Sequence, residues 1–336
     1  MNSRKTSASV SNASAPTPSS PSEERFTFGQ LWRQRSIARH TPDDAAVWDK
    51  RITDCPTRFK PSNYSREFLE LADLQPGETV FDMGCGAGTL AIPCAQAGHQ
   101  VLAADFSGAM LAQLATNLGE CDPDTTSRLA TQQLAWADDW EAAGITEKSF
   151  DVAFASRSII TEDLEDSIRK LSKVANKRVC VTVTPGQSPR IFAPLLKDLG
   201  LSFTGHPDAS FVFAVATELG YAPEVRYIRS PRQDYFPTPE AAFQKYREMI
   251  HLSDENPQGA DLELAEAKLK SWLDEHLIPA TQKTKVIEGD PGHYTQPDTV
   301  CVSDTNLLKE DALTTDIDRV ITWAFISWPT QERNLS

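Results

Sequence analysis

The chain is poor in positive charge. Its 336 residues hold 33 Lys and Arg against 47 Asp and Glu, for a formal net charge of −14. Binding to nucleic acid requires Lys and Arg to displace phosphate counterions, so this balance predicts no DNA or RNA partner. It equally disfavours an anionic membrane surface, and no apolar run approaches membrane-spanning length, so no membrane partner is expected. Cysteine is sparse and scattered: Cys55, Cys85, Cys94, Cys121, Cys180 and Cys301 include no CxxC pair. That is neither a zinc pattern nor a disulfide framework, and thiols in a reducing cytosol are the better reading, which predicts a cytoplasmic protein. The six histidines show no metal spacing, so no metal is expected. No Ser/His/Asp or Cys/His nucleophile signature appears, and there is no internal repeat.

What remains is an ordinary globular composition, 40% hydrophobic and 24% charged, with ample material for a core. Residues 1–22 are rich in Ser, Thr, Ala and Pro and lack an apolar centre, so they are not a secretory signal. Without acids and with Arg4 and Lys5 they faintly resemble an organelle transit peptide, but a disordered extension is the simpler reading. Residues 26–73 read as helical segments broken at Pro42, Pro56 and Pro61, the clearest being "SNYSREFLELADL". From there apolar strands alternate with helices: "ETVFDMG", "HQVLAADFS", "SRLATQQLAWADDW", "SFDVAFASRS" and "KRVCVTVTPG" are the strands. Such alternation means βαβ units and a parallel sheet. Two late strands, "APEVRYIRS" and "RVITWAFISWP", flank an insertion carrying two apolar-faced helices. Thr238 caps the first of these and Phe243, Tyr246 and Ile250 share a face, and Leu262, Leu269, Trp272 and Leu273 stripe the second.

The expected fold is therefore α/β: a doubly wound, mostly parallel seven-stranded Rossmann-like sheet with an antiparallel last strand and a helical cap insertion. Its divisions are a tail (1–22), an N-terminal helical segment (23–75), a core (76–230), the cap (231–318) and a final core strand with the C-terminus (319–336).

The stretch "VFDMGCGAGTL" carries the chemistry. Its glycines could merely permit a tight strand-to-helix turn. Gly86, Gly88 and Ala91 also satisfy the G-x-G-x-x-G/A pattern of a dinucleotide site, which keeps an NAD-dependent oxidoreductase as an alternative. A dinucleotide, however, sets its pyrophosphate at the helix N-terminus, and Asp82 at the strand end would repel it. A ligand with a cationic end reverses that sign. S-adenosylmethionine (SAM), with its ammonium and sulfonium, is such a ligand.

At this point the sequence resembles the class I SAM-dependent methyltransferases. "VFDMGCGAG" looks like that family's first motif, and Asp105 lies 21 residues after Gly84, where the family has an acid that binds both ribose hydroxyls. The resemblance implies cofactor contacts from Asp82, Gly84, Gly86, Gly88, Asp105 and from Phe106 near the adenine. "AWADDW" matches the place where a backbone amide and an acid meet the adenine, here Ala137 and Asp138, with Asp139 as an alternative to Asp138. Ser156 ends the fourth strand, which in the family borders the methyl group. The resemblance covers residues 62–185 and the closing strand pair, and it implies methyl transfer; the acidic charge, which argues against RNA, leads us to expect a small-molecule acceptor. Residues 1–60 and 230–318 depart from the family core. A non-catalytic SAM-binding regulator stays open beside the enzyme.

No residue stands out as catalytic. Cys85 reads as a small packing residue, and His206 as structural or as a base facing the acceptor. Arg157 either holds an acidic acceptor or pairs with Glu162 or Asp163. Tyr64 and Trp48 lie where many relatives close over SAM, or pack the core. Methyl transfer from a sulfonium is an in-line displacement on an activated donor, so positioning supplies much of the rate and a base is needed only for a protonated acceptor.

Overall fold

The computed structural model describes residues 26–39, 45–54, 62–186, 188–282 and 312–330. Helices α1 (Phe28–Arg39), α2 (Ala45–Asp54) and α3 (Asn63–Ala72) precede the first strand. Pro42, Pro56 and Pro61, expected to break them, lie outside the described residues. Ser62 starts α3 with a reciprocal cap: its hydroxyl accepts the Ser65 amide while Ser65 Oγ accepts the Ser62 amide.

The alternating region follows as β1 (Val80–Met83), α4 (Ala91–Gln96), β2 (Val101–Asp105), α5 (Gly108–Leu118), α6 (Pro123–Arg128), β3 (Leu129–Gln133), β4 (Phe150–Ser156), α7 (Leu164–Val174), β5 (Ala175–Val183), α8 (Ala193–Leu199), α9 (Asp208–Glu218) and β6 (Glu224–Arg232). Then come α10 (Pro239–His251), α11 (Gly259–His276), β7 (Leu277–Pro279), β8 (Leu313–Thr315) and β9 (Arg319–Pro329). The main sheet has seven strands in the order β3-β2-β1-β4-β5-β9-β6. β1 to β5 are mutually parallel, and β9 runs antiparallel to both β5 and β6. The expected doubly wound sheet with an antiparallel last strand is thus present, with that strand inserted before β6.

Each face of the sheet carries an apolar layer, as its near-continuous apolar strands require. On one face α3, α4 and α5 pack Tyr64, Phe68, Ile92 and Leu114 onto Phe154 and Phe325. Phe68 meets the Phe154 and Phe325 rings edge-on at 4.9 and 5.2 Å. On the other, α7 and α9 cover Phe81, Val179 and Ile326, and Trp32 of α1 joins them.

A third apolar cluster forms the cap. α10 and α11 bury Tyr246, Ile250, Leu269 and Trp272 against Leu195, Leu196 and Leu199 of α8, so the unit draws on chain from both sides of β6. The short antiparallel pair β7–β8 joins it. Thr238 caps α10 as expected, its hydroxyl accepting the Ala241 amide at 3.2 Å. Because β6 runs the same way as β5, Arg232 at its end and Arg319 at the start of β9 lie at the edge where β1, β2 and β4 finish. The cap therefore springs from the edge that carries ligands in open α/β sheets. Asp234 anchors it there, accepting from Arg319 at 2.9 Å and from Arg232 at 3.0 Å.

Candidate functional site

The turn after β1 exists because three glycines accept positive φ: +75° at Gly84, +53° at Gly86 and +94° at Gly88. Gly84 also answers a close approach. A Cβ there would stand 2.3 Å from Ser158 Cβ, so the segment after β4 lies directly on the turn. Ser158 Oγ fixes that contact by donating to the Met83 carbonyl at 2.6 Å. Gly88 packs against Ile92 and Leu114 in the same way. Gly86 differs: a Cβ on it would meet no atom within 4 Å, so open space lies above it.

Asp82, on β1 just before the turn, is 1% exposed, with an Oδ1 that has no hydrogen-bond partner. Burial pushes its carboxyl up to about 7; the neighbouring Asp105 carboxylate adds to the shift and the Arg157 guanidinium opposes it. An orphaned, desolvated carboxylate oxygen is costly unless something satisfies it. Asp105, also buried, is held by backbone: Oδ2 accepts the Gly86 amide and Oδ1 the Ser107 amide, both at 2.9 Å. Burial raises its pKa, those amides pull it back, and Asp49 raises it further.

Asp49 was invisible in the sequence. It reaches in from α2, where Oδ1 accepts the Ser107 hydroxyl and the Ala109 amide, and so sits at the N-terminus of α5, which favours an anion. The dock spans 58 residues of sequence, and no local pattern marks it. Trp48, its neighbour on α2, is half-buried.

Phe106 follows Asp105 and is half-buried, with its carbonyl accepting from Gln133 Nε2 at 3.0 Å. Ala137, Asp138 and Asp139 are exposed in the loop after β3. Asp138 Oδ2 accepts the Ala135 amide at 2.8 Å, and Asp139 Oδ1 the Ala142 amide at 3.1 Å. Ser156, at the end of β4, shares a hydrogen bond of 2.6 Å with the buried Tyr64 hydroxyl, which also bonds Thr182 Oγ1.

Arg157 comes next, in the left-handed region at φ +62°. Its guanidinium lies 4.4 Å from the Tyr64 ring centroid and 5.4 Å from that of Trp323. Asp163, one of the acids proposed as its partner, pairs with Arg33 instead. Among the described residues Arg157 makes no ion pair. Cys85 is 6% exposed, and burial together with Asp82 and Asp105 drives its thiol pKa well up, which suits packing and not a nucleophile. His206 is exposed, its ring 6.1 Å from that of Phe203.

Strand order and charge together choose between dinucleotide and SAM. The dinucleotide-binding sheet runs 3-2-1-4-5-6 with no antiparallel strand between the fifth and sixth. Here β9 occupies that place, and two buried acids, Asp82 on β1 and Asp105 bonded to the Gly86 amide, stand at the glycine turn where a pyrophosphate would go. A family model described as a methyltransferase domain matches residues 81–180, from β1 into β5. Those residues have a class I methyltransferase fold.

Such a domain takes its methyl group from SAM. An uncharacterized protein of Haemophilus influenzae is 37% identical over 163 residues, covering 47% of this chain and 57% of that protein. The chain thus spans little more than half the length of that curated relative. Among solved structures, the YcgJ protein of Bacillus subtilis is 13% identical over 80% of this chain and 98% of its own, with a TM-score of 0.44. Magnesium protoporphyrin IX methyltransferase from Synechocystis PCC 6803, with bound SAM, is 16% identical over 62% of this chain and 93% of its own, with a TM-score of 0.37.

The methyltransferase domain's residues fit the donor. A buried carboxylate with an orphan oxygen awaits a cation, an open glycine admits close approach, and a second carboxylate stands one strand away. Among the described residues no helix is long and apolar enough to cross a membrane, and no group of three or more His, Cys, Asp or Glu could hold a metal ion.

Proposed function

We propose that the chain is an enzyme that transfers the methyl group of SAM to a small-molecule acceptor by direct displacement. The observation that carries the donor site is the unpartnered Asp82 Oδ1, buried on the strand that leads into the open glycine turn. In this reading Asp82 takes the ammonium end of the methionine moiety, and Gly84, Gly86 and Gly88 let backbone approach it. Asp105 accepts from both ribose hydroxyls, since each of its oxygens keeps a lone pair beyond the amide it already holds. Phe106 lies along the adenine. The Ala137 amide and Asp138 meet its polar edge, with Asp138 Oδ2 fixed on Ala135 and Oδ1 turned to the exocyclic amine. Ser156 borders the reacting carbon.

Bound SAM supplies an activated methyl group on a sulfonium. What the chain supplies is geometry: it orients the donor, aligns the acceptor in line and excludes water. The cap stands at the same sheet edge and, with the strongly acidic charge, supports a small acceptor over a nucleic acid. Dispersed thiols fit a cytoplasmic setting.

Calorimetry with S-adenosylhomocysteine and with NAD tests the donor, and release of S-adenosylhomocysteine from SAM in the presence of fractionated metabolites tests the transfer. Binding of NAD without S-adenosylhomocysteine would overturn the reading. Tight SAM binding with no turnover on any fraction would make the chain a SAM-binding regulator instead.

A further inference from the structure

The α-amino-acid group of the donor carries an ammonium and a carboxylate, and Asp82 offers a counterpart for the ammonium alone. We propose that Arg157 is the seat of the second, binding the α-carboxylate of the methionine moiety. The assignment rests on the SAM reading above and extends it to a residue that the glycine motif does not contain.

Three observations converge on Arg157. Position is the first: Ser158 lies against Gly84 and its hydroxyl holds the Met83 carbonyl, so residue 157 flanks the glycine turn directly. The Arg157 amide, donating to the Thr182 carbonyl at 3.0 Å, pins that segment to β5. Posture is the second. A non-glycine residue at φ +62° costs free energy that the surroundings must offset. Here Tyr64, itself tied to Ser156, and Trp323 offer the guanidinium two ring faces. Stacked on rings, a guanidinium keeps its in-plane N–H fork for a carboxylate.

Charge balance is the third. The chain has 14 more acids than bases, yet Arg157 makes no ion pair among the described residues. The acid that feels its field is Asp82, whose Oδ1 is unpartnered, so the two charges coexist without bonding each other. A zwitterionic amino-acid group satisfies both at once, ammonium on Asp82 and carboxylate on Arg157.

The test compares SAM with decarboxylated SAM, which keeps the ammonium and sulfonium and lacks only the carboxylate. Calorimetry on the wild-type chain and on Arg157→Gln, each checked for folding by thermal melting, gives four affinities. The expected result is that Arg157→Gln weakens SAM about tenfold or more, as for a lost hydrogen bond between charged groups, while decarboxylated SAM changes less than about twofold. Arg157→Lys, which keeps the charge and loses the fork, should fall between.

Equal losses for both ligands would overturn the assignment by showing that Arg157 only shapes the pocket. Unchanged SAM affinity would overturn it too and direct Arg157 to an acidic acceptor. A wild-type chain that binds neither ligand would instead refute the donor site itself.

Discussion

Asp105 at the end of β2 accepts the Gly86 amide of the neighbouring strand's turn at 2.9 Å, so the carboxylate proposed for the ribose also shapes the glycine turn. Asp105→Ala should therefore lose roughly 2–4 kcal/mol of S-adenosylhomocysteine affinity, from two charge-assisted bonds to ribose. Asp105→Asn should be no milder. Its amide presents an N–H group to one of the two backbone amides that the carboxylate now accepts, from Gly86 and Ser107. Calorimetry on both variants checks this, and unchanged affinity in a folded variant would remove Asp105 from the site.

Gly84→Ala tests the close approach. The new Cβ would stand 2.3 Å from Ser158 Cβ and would also be held at φ +75°. The expected loss of stability is about 1–3 kcal/mol. Adding Ser158→Gly should recover the steric share but not the backbone share, because the positive φ persists. A thermal melt of Gly84→Ala indistinguishable from wild type would show that the turn relaxes freely.

Legibility in the sequence followed the range of the interaction. Asp82, Gly84 and Gly86 belong to one turn, and their types state what the backbone and charge there must be. Asp105 closes the adjacent strand, so strand alternation alone carried it to the same edge. Strands such as β1, buried at all four residues, were readable from their apolar runs, whereas β3 and β6 are largely exposed and carry a weaker apolar signal. Asp49 and Trp323 were not readable. They arrive from α2 and β9 by packing across the fold, and an acid on a polar helix or a Trp in a strand carries no local mark of its destination. The pair β7–β8 escaped for the same reason, since Leu277–Pro279 continues a helical pattern and meets a strand more than thirty residues later.

If Asp82 holds the donor's cationic end, binding depends on pH. Its folded-state pKa, about 7, lies above the ordinary 3.8, so the native state keeps this proton longer than the unfolded chain does. The stability it contributes is fully present below about 3.8 and is lost as pH rises to about 7. A cationic ligand has the opposite preference, because it needs the ionised form. SAM affinity should rise between pH 6 and 8, with release of about one proton per SAM bound near pH 6. Calorimetry in two buffers of different ionisation enthalpy counts that proton. Asp105 is also shifted upward, so Asp82→Asn is the control: it should weaken SAM and abolish most of the proton release. Proton release that survives Asp82→Asn would assign the titration to Asp105.

The cap's dependence on one arginine gives the last prediction. Arg319, 7% exposed, donates to Asp234 at 2.9 Å, to the Pro189 carbonyl at 2.6 Å and to the Ile191 carbonyl at 3.1 Å. It thereby ties the segment before α8 and the segment after β6 to the first residue of β9. Deleting residues 238–277 would strip Leu195, Leu196 and Leu199 of cover, so a single change at this anchor is the cleaner probe of the cap. Arg319→Ala leaves the Ile191 carbonyl without its donor, and the Pro189 carbonyl and Asp234 with Arg232 alone. Breaking a buried pair on one side costs about 3–5 kcal/mol. Because these bonds lie between the cap and the sheet edge, hydrogen exchange should quicken in α10 and α11 far more than in β1 and β4. SAM affinity should stay within about threefold while any transfer activity falls, if the cap serves the acceptor and not the donor. Equal loss of protection in β1 and β4 would show that cap and sheet unfold as one unit, and a large fall in SAM affinity would place the cap in the donor site.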